Sequence, residues 1–230
     1  MAQGKPTLVH LNNSQSQTIL WLLEELGIEY ELKLFERING RAPPELKKTH
    51  PMGKSPQLIT ATGRVITERS AIALYLIETY DKAGKFKIAS PPSDPEYDAV
   101  REDSIISFGN ATISPFFMLR FILMQLIQHT PFFVRPLVSG LNFVLGKAFL
   151  NSEIELNMDY LESILKDRDY LMGGREPTRA DFVNLLYADW GYHAKLYDTS
   201  KYVNIEAWRS RCTSRPAWLT ALEKGNGYYK

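Results

Sequence analysis

The chain has 230 residues, 44% of them hydrophobic and 23% charged, which is enough apolar mass for a true core and excludes a disordered polyelectrolyte. With 27 basic and 26 acidic residues the net charge is +1, which argues against a nucleic-acid binder held by counterion release. One cysteine, Cys212, excludes internal disulfides and Cys-ligated metal sites and fits a reducing compartment, and the opening Met-Ala-Gln-Gly-Lys-Pro lacks a signal-peptide apolar core, so the expected location is cytosolic.

Thr7 to Leu11 is a short apolar run that predicts a first strand. The polar loop Asn12-Asn13-Ser14-Gln15-Ser16-Gln17 leads into a helix with Ile19, Leu20, Leu22, Leu23 and Leu26 on its buried face and Gly27 as its stop. Tyr30, Leu32 and Leu34 alternate with Glu31 and Lys33, which predicts a second strand. Pro43-Pro44-Glu45-Leu46-Lys47-Lys48 predicts a short helix entered through proline. At Gly53-Lys54-Ser55-Pro56 the chain turns, because Pro56 fixes its own φ and pushes Ser55 toward an extended conformation. Gln57 to Thr60 and Val65 to Thr67 flank a Gly-containing connection and predict an antiparallel hairpin. A helix then opens at Thr67 or Glu68 and carries Ile72, Leu76 and Tyr80. The first 80 residues thus read β-α-β-α-β-β-α. Two devices stand side by side in them: a Ser-Pro turn able to offer its backbone to an extended ligand, and a helix N-terminus able to hold a carboxylate.

Asp81 to Pro95 contains Gly84, Pro91, Pro92 and Pro95, and strand-like alternation ends there. The predicted domains are 1–82 and 96–230, joined by a linker over 83–95. Tyr97 onward is helical, with a long apolar segment to about Gln128 that Pro131 and Pro136 interrupt. A helix from Leu145 to Lys166 carries Ile154, Tyr160, Leu161 and Ile164. Thr178-Arg179-Ala180-Asp181 has the form of a capping box, so Asp181 is expected to cap a helix and matter for folding, not to act as a catalytic acid. Trp208 and Trp218 mark two short terminal helices.

A small α/β domain, a proline linker and an all-helical domain, with Gly53-Lys54-Ser55-Pro56, Glu68-Arg69-Ser70-Ala71-Ile72, Tyr170-Leu171-Met172-Gly173-Gly174, Thr178-Arg179-Ala180-Asp181 and Arg215-Pro216-Ala217 in that order, resemble the glutathione transferase family over nearly the whole chain. Asn12-Asn13-Ser14, Arg41 to Lys48 and His50-Pro51 are similar to a microbial, especially fungal, subgroup. The resemblance implies a thioredoxin-like first domain with Pro56 in cis, glutathione as co-substrate, no metal, and a homodimer. The implied reaction is attack of the glutathione thiolate on a small hydrophobic electrophile, with organic hydroperoxide reduction as a second activity. A non-catalytic glutathione or apolar-ligand binder is the rival reading.

Lowering a thiol pKa from ~8.5 by about 2 units takes ~2.7 kcal/mol, within reach of one charge-assisted hydrogen bond. The family places Tyr, Ser or Cys for this at the start of the first helix. Here the first tyrosine is Tyr30 and the only cysteine is Cys212, so Ser14 is the first candidate, Asn13 the second and Ser16 the third. Ser14 also has the spacing to cap the helix with Gln17 in a Ser-x-x-Gln box. The resemblance further implies that the Ser55 backbone pairs with the cysteinyl unit. It assigns the γ-glutamyl end to Glu68 and the amide after it, and the glycyl carboxylate to Lys54 or His50. Arg69 departs from the family's usual serine, with Ser70 one step later, and its guanidinium is a candidate partner for a carboxylate. Cys212 is read as a buried bystander, and His10, His129 and His193 show no metal-ligand spacing or carboxylate partner. Phe116 to Met124 and Pro131 to Gly140 read mainly as core. The resemblance places the co-substrate pocket in this region, at Phe116, Phe117 or Arg120, and a peripheral membrane contact is a third reading of these segments.

Overall fold

The computed structural model describes residues 4–88 and 98–228. Residues 89–95 of the predicted linker therefore lie outside the described residues.

Four strands, β1 (Thr7–Leu11), β2 (Glu31–Phe35), β3 (Gln57–Ile59) and β4 (Val65–Thr67), form one sheet in the order β2-β1-β3-β4. β1 is parallel to β2, and β3 is antiparallel to both β1 and β4. A parallel pair needs a long crossover, and α1 (Ser16–Leu26) supplies it. α1 ends at Gly27, whose φ of 61° is the left-handed conformation that glycine adopts without a Cβ penalty. The predicted short helix is a 3-10 turn at Pro44–Lys48, and α2 (Arg69–Tyr80) closes the domain. The Ser55–Pro56 bond is cis, as the resemblance implied.

The second domain is all helical. α3 (Ala99–Ser107), a π-helical stretch Phe108–Ile113 and α4 (Ser114–His129) run on as one rod. α5 (Arg135–Leu145), a second π stretch Gly146–Leu150 and α6 (Asn151–Ile164) return from it. α7 (Arg179–Ala194) is buried along most of its length, and α8 (Val203–Thr213) and α9 (Pro216–Lys224) complete the chain. Gly109 lets the rod approach α7, since a Cβ there would lie 1.7 Å from Asn184 Oδ1.

The capping box forms: Asp181, fully buried, accepts from the Thr178 N–H at 2.8 Å and also from Leu171 N–H at 3.0 Å and Trp208 Nε1 at 2.8 Å. One carboxylate thereby ties the start of α7 to the preceding loop and to α8. Cys212 is buried on α8, and burial raises its thiol pKa well above the usual value, which suits an inert core residue.

α1 is sandwiched between the sheet and the helical domain, which is why residues on both its faces, from Ser16 to Leu23, are buried. Trp21 is the hinge pin of that contact, with ring centroids 4.4 Å from Phe182 and 5.8 Å from Trp218. Arg215 pairs with Glu25 of α1 and reaches Glu176 and the Tyr170 hydroxyl at 2.8 Å each, so the two domains are joined by charge as well as by aromatic packing.

The expectation that Phe116 to Met124 and Pro131 to Gly140 are mainly core is met only on one side of α4, where Phe116, Phe121, Leu123 and Met124 pack partly buried against the core around Phe117, and fails for Pro131 to Gly140. In α4 only Phe117 is fully buried, and in α5 no residue is. The apolar content was read correctly, but the bundle covers one side of α4 and leaves the α4–α5 hairpin open.

Candidate active site

The sheet register brings the site together. Val9 pairs with Gln57, and Gln57 with Thr67. The C-terminal end of β1, the N-terminal end of β3 and the C-terminal end of β4 therefore point the same way. The Asn12–Gln15 loop, the Ser55–Pro56 turn and Glu68 with the start of α2 all emerge at that one end of the sheet.

In the loop, Ser14 Oγ donates to Leu11 O at 2.7 Å and lies 2.8 Å from Ser16 Oγ. It also accepts the Ser16 N–H at 3.2 Å, which is a tight Ser turn and not the expected box with Gln17. The box is absent because α1 begins at Ser16, with Gln15 in the cap position and no side-chain cap bond. Ser16 is fully buried, its hydroxyl 2.9 Å from His10 Nδ1. His10 is itself buried, its Nε2 has no hydrogen-bond partner among the described residues, and burial lowers its pKa to about 4, so it is neutral at pH 7. Asn13 is exposed with a φ of 44°, a conformation that asparagine tolerates.

Two clamps hold that loop, and neither was anticipated from sequence. Arg37 donates to Asn12 O at 3.3 Å and Asn13 O at 2.9 Å, and its N–H bonds Asn12 Oδ1 at 2.9 Å. From the far end of the chain, Gly227 O accepts the Asn13 N–H at 3.0 Å and Asn226 donates to Phe35 O at 2.7 Å. Gly225-Asn226-Gly227 carries no periodicity and reads as a polar tail, so no sequence signal marked it.

At the turn, Ser55 Oγ donates to Val9 O at 3.1 Å, which aligns the Ser55 backbone beside β1. Neither its N–H nor its C=O takes a partner among the described residues. Lys54 is exposed, and half-buried His50 accepts the Met52 N–H through Nδ1 at 3.4 Å. Glu68 is exposed with φ 67° and ψ 122°, a costly backbone for a non-glycine residue. It occupies the cap position of α2 with no side-chain cap bond, and half-buried Ser70 follows in the first turn.

Models of two domains match the chain: "Glutathione S-transferase, N-terminal domain" over residues 14–79 and "Glutathione S-transferase, C-terminal domain" over residues 150–216. Glutathione S-transferase 3 of Schizosaccharomyces pombe is 31% identical over 94% of this chain and 86% of its own length. The chain belongs to the glutathione S-transferase family. Glutathione S-transferase 1 of Saccharomyces cerevisiae is 28% identical, covering 93% of this chain and 92% of that one. Among solved structures, a glutathione S-transferase of Actinobacillus pleuropneumoniae has a TM-score of 0.78 at 28% identity, covering 98% of this chain and 94% of that one. A glutathione transferase of Phanerochaete chrysosporium in complex with oxidized glutathione has a TM-score of 0.70 at 25% identity, covering 97% and 98%.

Several readings made from sequence change within this glutathione S-transferase. The Arg69 guanidinium does not face a ligand carboxylate. It is buried in the domain boundary, where it donates to Val183 O at 2.6 Å, the Tyr187 hydroxyl at 2.7 Å and Asn110 Oδ1 at 3.2 Å. It thus pins the start of α2 to the helical domain and leaves its own backbone amide at the helix N-terminus. Tyr187 donates to Asn110 Oδ1 at 2.7 Å, closing a triangle of side chains that sequence reading missed, since Asn110 sits in a π-helical stretch with no sequence signature. Phe117 does not face a pocket: it is buried, stacked 5.9 Å from Tyr197. Half-buried Phe116 packs 5.8 Å from Phe149. Arg120 bonds Asn151 and lines a cavity of about 150 Å³ with Ile154, Glu155, Tyr197 and Tyr202, but no residue of the first domain lines it, so it is not beside the loop. His193, read as lacking a carboxylate partner, lies 3.7 Å from Asp189 one turn earlier.

Proposed function

We propose that this chain is an active glutathione transferase that joins the glutathione thiolate to small apolar electrophiles. The observation that carries the proposal is the convergence of three elements at one end of the sheet: an exposed loop, an open Ser55 backbone, and a helix N-terminus beside Glu68. Strands lie ~4.8 Å apart, so the path from β1 across β3 to β4 is about 10 Å, the length of an extended tripeptide. The cysteinyl unit pairs with Ser55 in strand fashion, the γ-glutamyl ammonium meets Glu68, and its carboxylate meets the first amides of α2. Lys54 and His50 lie on the glycyl side.

For the thiolate, the burial of Ser16 speaks against it as the donor. Ser14 has one proton, and both acceptors beside its hydroxyl, Leu11 O at 2.7 Å and Ser16 Oγ at 2.8 Å, draw it inward. The exposed amide of Asn13 is therefore the better donor to sulfur, with Ser14 holding the loop in shape. The α1 N-terminus adds about 0.3–1 kcal/mol. Organic hydroperoxide reduction would use the same thiolate.

Calorimetric titration with glutathione, together with turnover of a chloronitrobenzene electrophile, tests this reading. Binding with turnover that follows enzyme concentration supports it. Binding without turnover gives the non-catalytic binder, and absence of both leaves the family fold without the family chemistry.

A further inference from the structure

Beneath the Asn12–Gln15 loop a chain of hydrogen bonds runs inward to one buried imidazole. His10 stands one residue before the end of β1 and is 1% exposed, and its ring has one hydrogen bond among the described residues, to Ser16. Its hydrogen-bonding influence on the loop passes through that one contact.

Ser16 Oγ is the hub of the chain. It accepts the Leu11 N–H at 3.3 Å and lies 2.9 Å from His10 Nδ1, 2.8 Å from Ser14 Oγ and 3.4 Å from Leu11 O. A serine hydroxyl has one proton to give. Given to His10, it leaves Ser14 two inward acceptors, Leu11 O and Ser16 Oγ. Given to Ser14 Oγ or to Leu11 O, it removes one of those acceptors or competes for it. The direction of this one proton decides how firmly the Ser14 hydroxyl is held away from the open side of the loop.

Burial keeps the imidazole neutral, so one of its nitrogens carries a proton and the other is bare. The Nε2 side of the ring faces Gly225. Around the point that a Gly225 Cβ would occupy lie Ala221 O at 3.1 Å, Gln17 Oε1 at 3.2 Å and His10 Nε2 at 3.4 Å. A proton on Nε2 therefore looks toward oxygens, and a bare Nδ1 looks toward the Ser16 hydroxyl. The opposite tautomer would turn a lone pair toward those oxygens and leave the Ser16 proton to Ser14.

We propose that His10 is a positioning residue that selects the thiolate donor: its bare Nδ1 takes the Ser16 proton, Ser14 keeps its own proton inward, and the open side of the loop is left to Asn13. The tautomer is a property of the ligand-free protein, whereas the choice of donor rests on the glutathione reading above, and two measurements keep them apart. Imidazole nitrogen NMR of the ligand-free chain at neutral pH reads the tautomer. His10 should show a protonated Nε2 and a bare, hydrogen-bonded Nδ1 whose signal moves in Ser16→Ala. A protonated Nδ1, or an Nδ1 signal indifferent to Ser16→Ala, would overturn the proposal. The second measurement follows the thiolate absorbance of bound glutathione against pH in wild type, His10→Gln and His10→Asn, each with and without Ser14→Ala. Circular dichroism confirms that each variant folds. In the wild type Ser14→Ala should move the thiol pKa by less than about 0.3 unit. The His10→Gln amide reaches only the Nε2 position, so the Ser16 proton loses its acceptor and Ser14 is freed toward the sulfur. There Ser14→Ala should raise the thiol pKa by about 1 unit. His10→Asn, whose Oδ1 stands where Nδ1 stood, should restore the wild-type insensitivity, which a role in packing alone would not do. A Ser14→Ala effect equal in all three backgrounds would overturn the proposal. Glutathione that does not bind, or binds with an unshifted thiol, would defeat the function proposed above and the donor selection with it, and the tautomer would still stand or fall by the NMR result.

Discussion

Arg69 shows how far one side chain can act from where its sequence position points. Its charge is buried and satisfied by three neutral acceptors, so Arg69→Leu removes the guanidinium together with its desolvation cost and leaves Val183 O without its donor. The expected loss in urea denaturation is about 2 kcal/mol, and Arg69→Lys should not restore it, because an ammonium cannot reach three separated acceptors. His10 makes a pH prediction. Its folded pKa is lowered to about 4 by burial, below the ordinary 6.5, so its contribution is complete above pH 6.5 and is lost as the pH falls toward 4. The stability difference between wild type and His10→Gln should therefore shrink by up to about 3 kcal/mol over that window. Asp181 titrates with the opposite sign, its pKa raised by burial from 3.8 to about 6, and comparison with the variant cancels its effect. At this scale the sequence was only partly legible. Ser14, Asn13 and Ser16 share the loop at the end of β1, but ranking them depends on which hydroxyl turns inward, and that is set by Leu11 O and His10, to which no local pattern points.

At the scale of elements the reading was better. β1, α1, the hairpin of β3 and β4, α2 and the start of α7 lie where periodicity, Gly27 and the Thr178 cap placed them. These features are local, and local features survive in a single sequence. Asp181 is the strongest instance: Asp181→Ala leaves the Leu171 and Thr178 amides and the Trp208 indole N–H buried without their acceptor. The expected cost is about 3–4 kcal/mol in thermal or chemical unfolding, with little recovery in Asp181→Asn, whose single acceptor oxygen cannot serve them all. The α4–α5 hairpin was misread because periodicity reports how apolar a helix is, not which neighbour covers it. The π stretches at Phe108–Ile113 and Gly146–Leu150 were invisible for a related reason: they are adjustments to packing, such as the close approach at Gly109, and leave no composition signal.

The whole molecule is a site assembled from distant parts. The sheet supplies three strand ends, Arg37 and the 225–228 tail hold the loop, and Arg69 fixes α2 against the helical domain. Arg215 with Glu25 and Trp21 with Phe182 keep the two domains in register. In the function proposed above, this assembly ionises a bound thiol, chiefly through Asn13. The most direct measurement is the ultraviolet thiolate absorbance of bound glutathione as a function of pH, in wild type, Asn13→Ala and Ser14→Ala. The wild type should hold the thiol pKa about 2 units below ~8.5. Asn13→Ala should bind glutathione yet lose 1 unit or more of that shift, roughly the worth of one charge-assisted hydrogen bond, while Ser14→Ala keeps most of it. A bound thiol with an unshifted pKa in the wild type, or a shift that survives Asn13→Ala intact, would contradict the account.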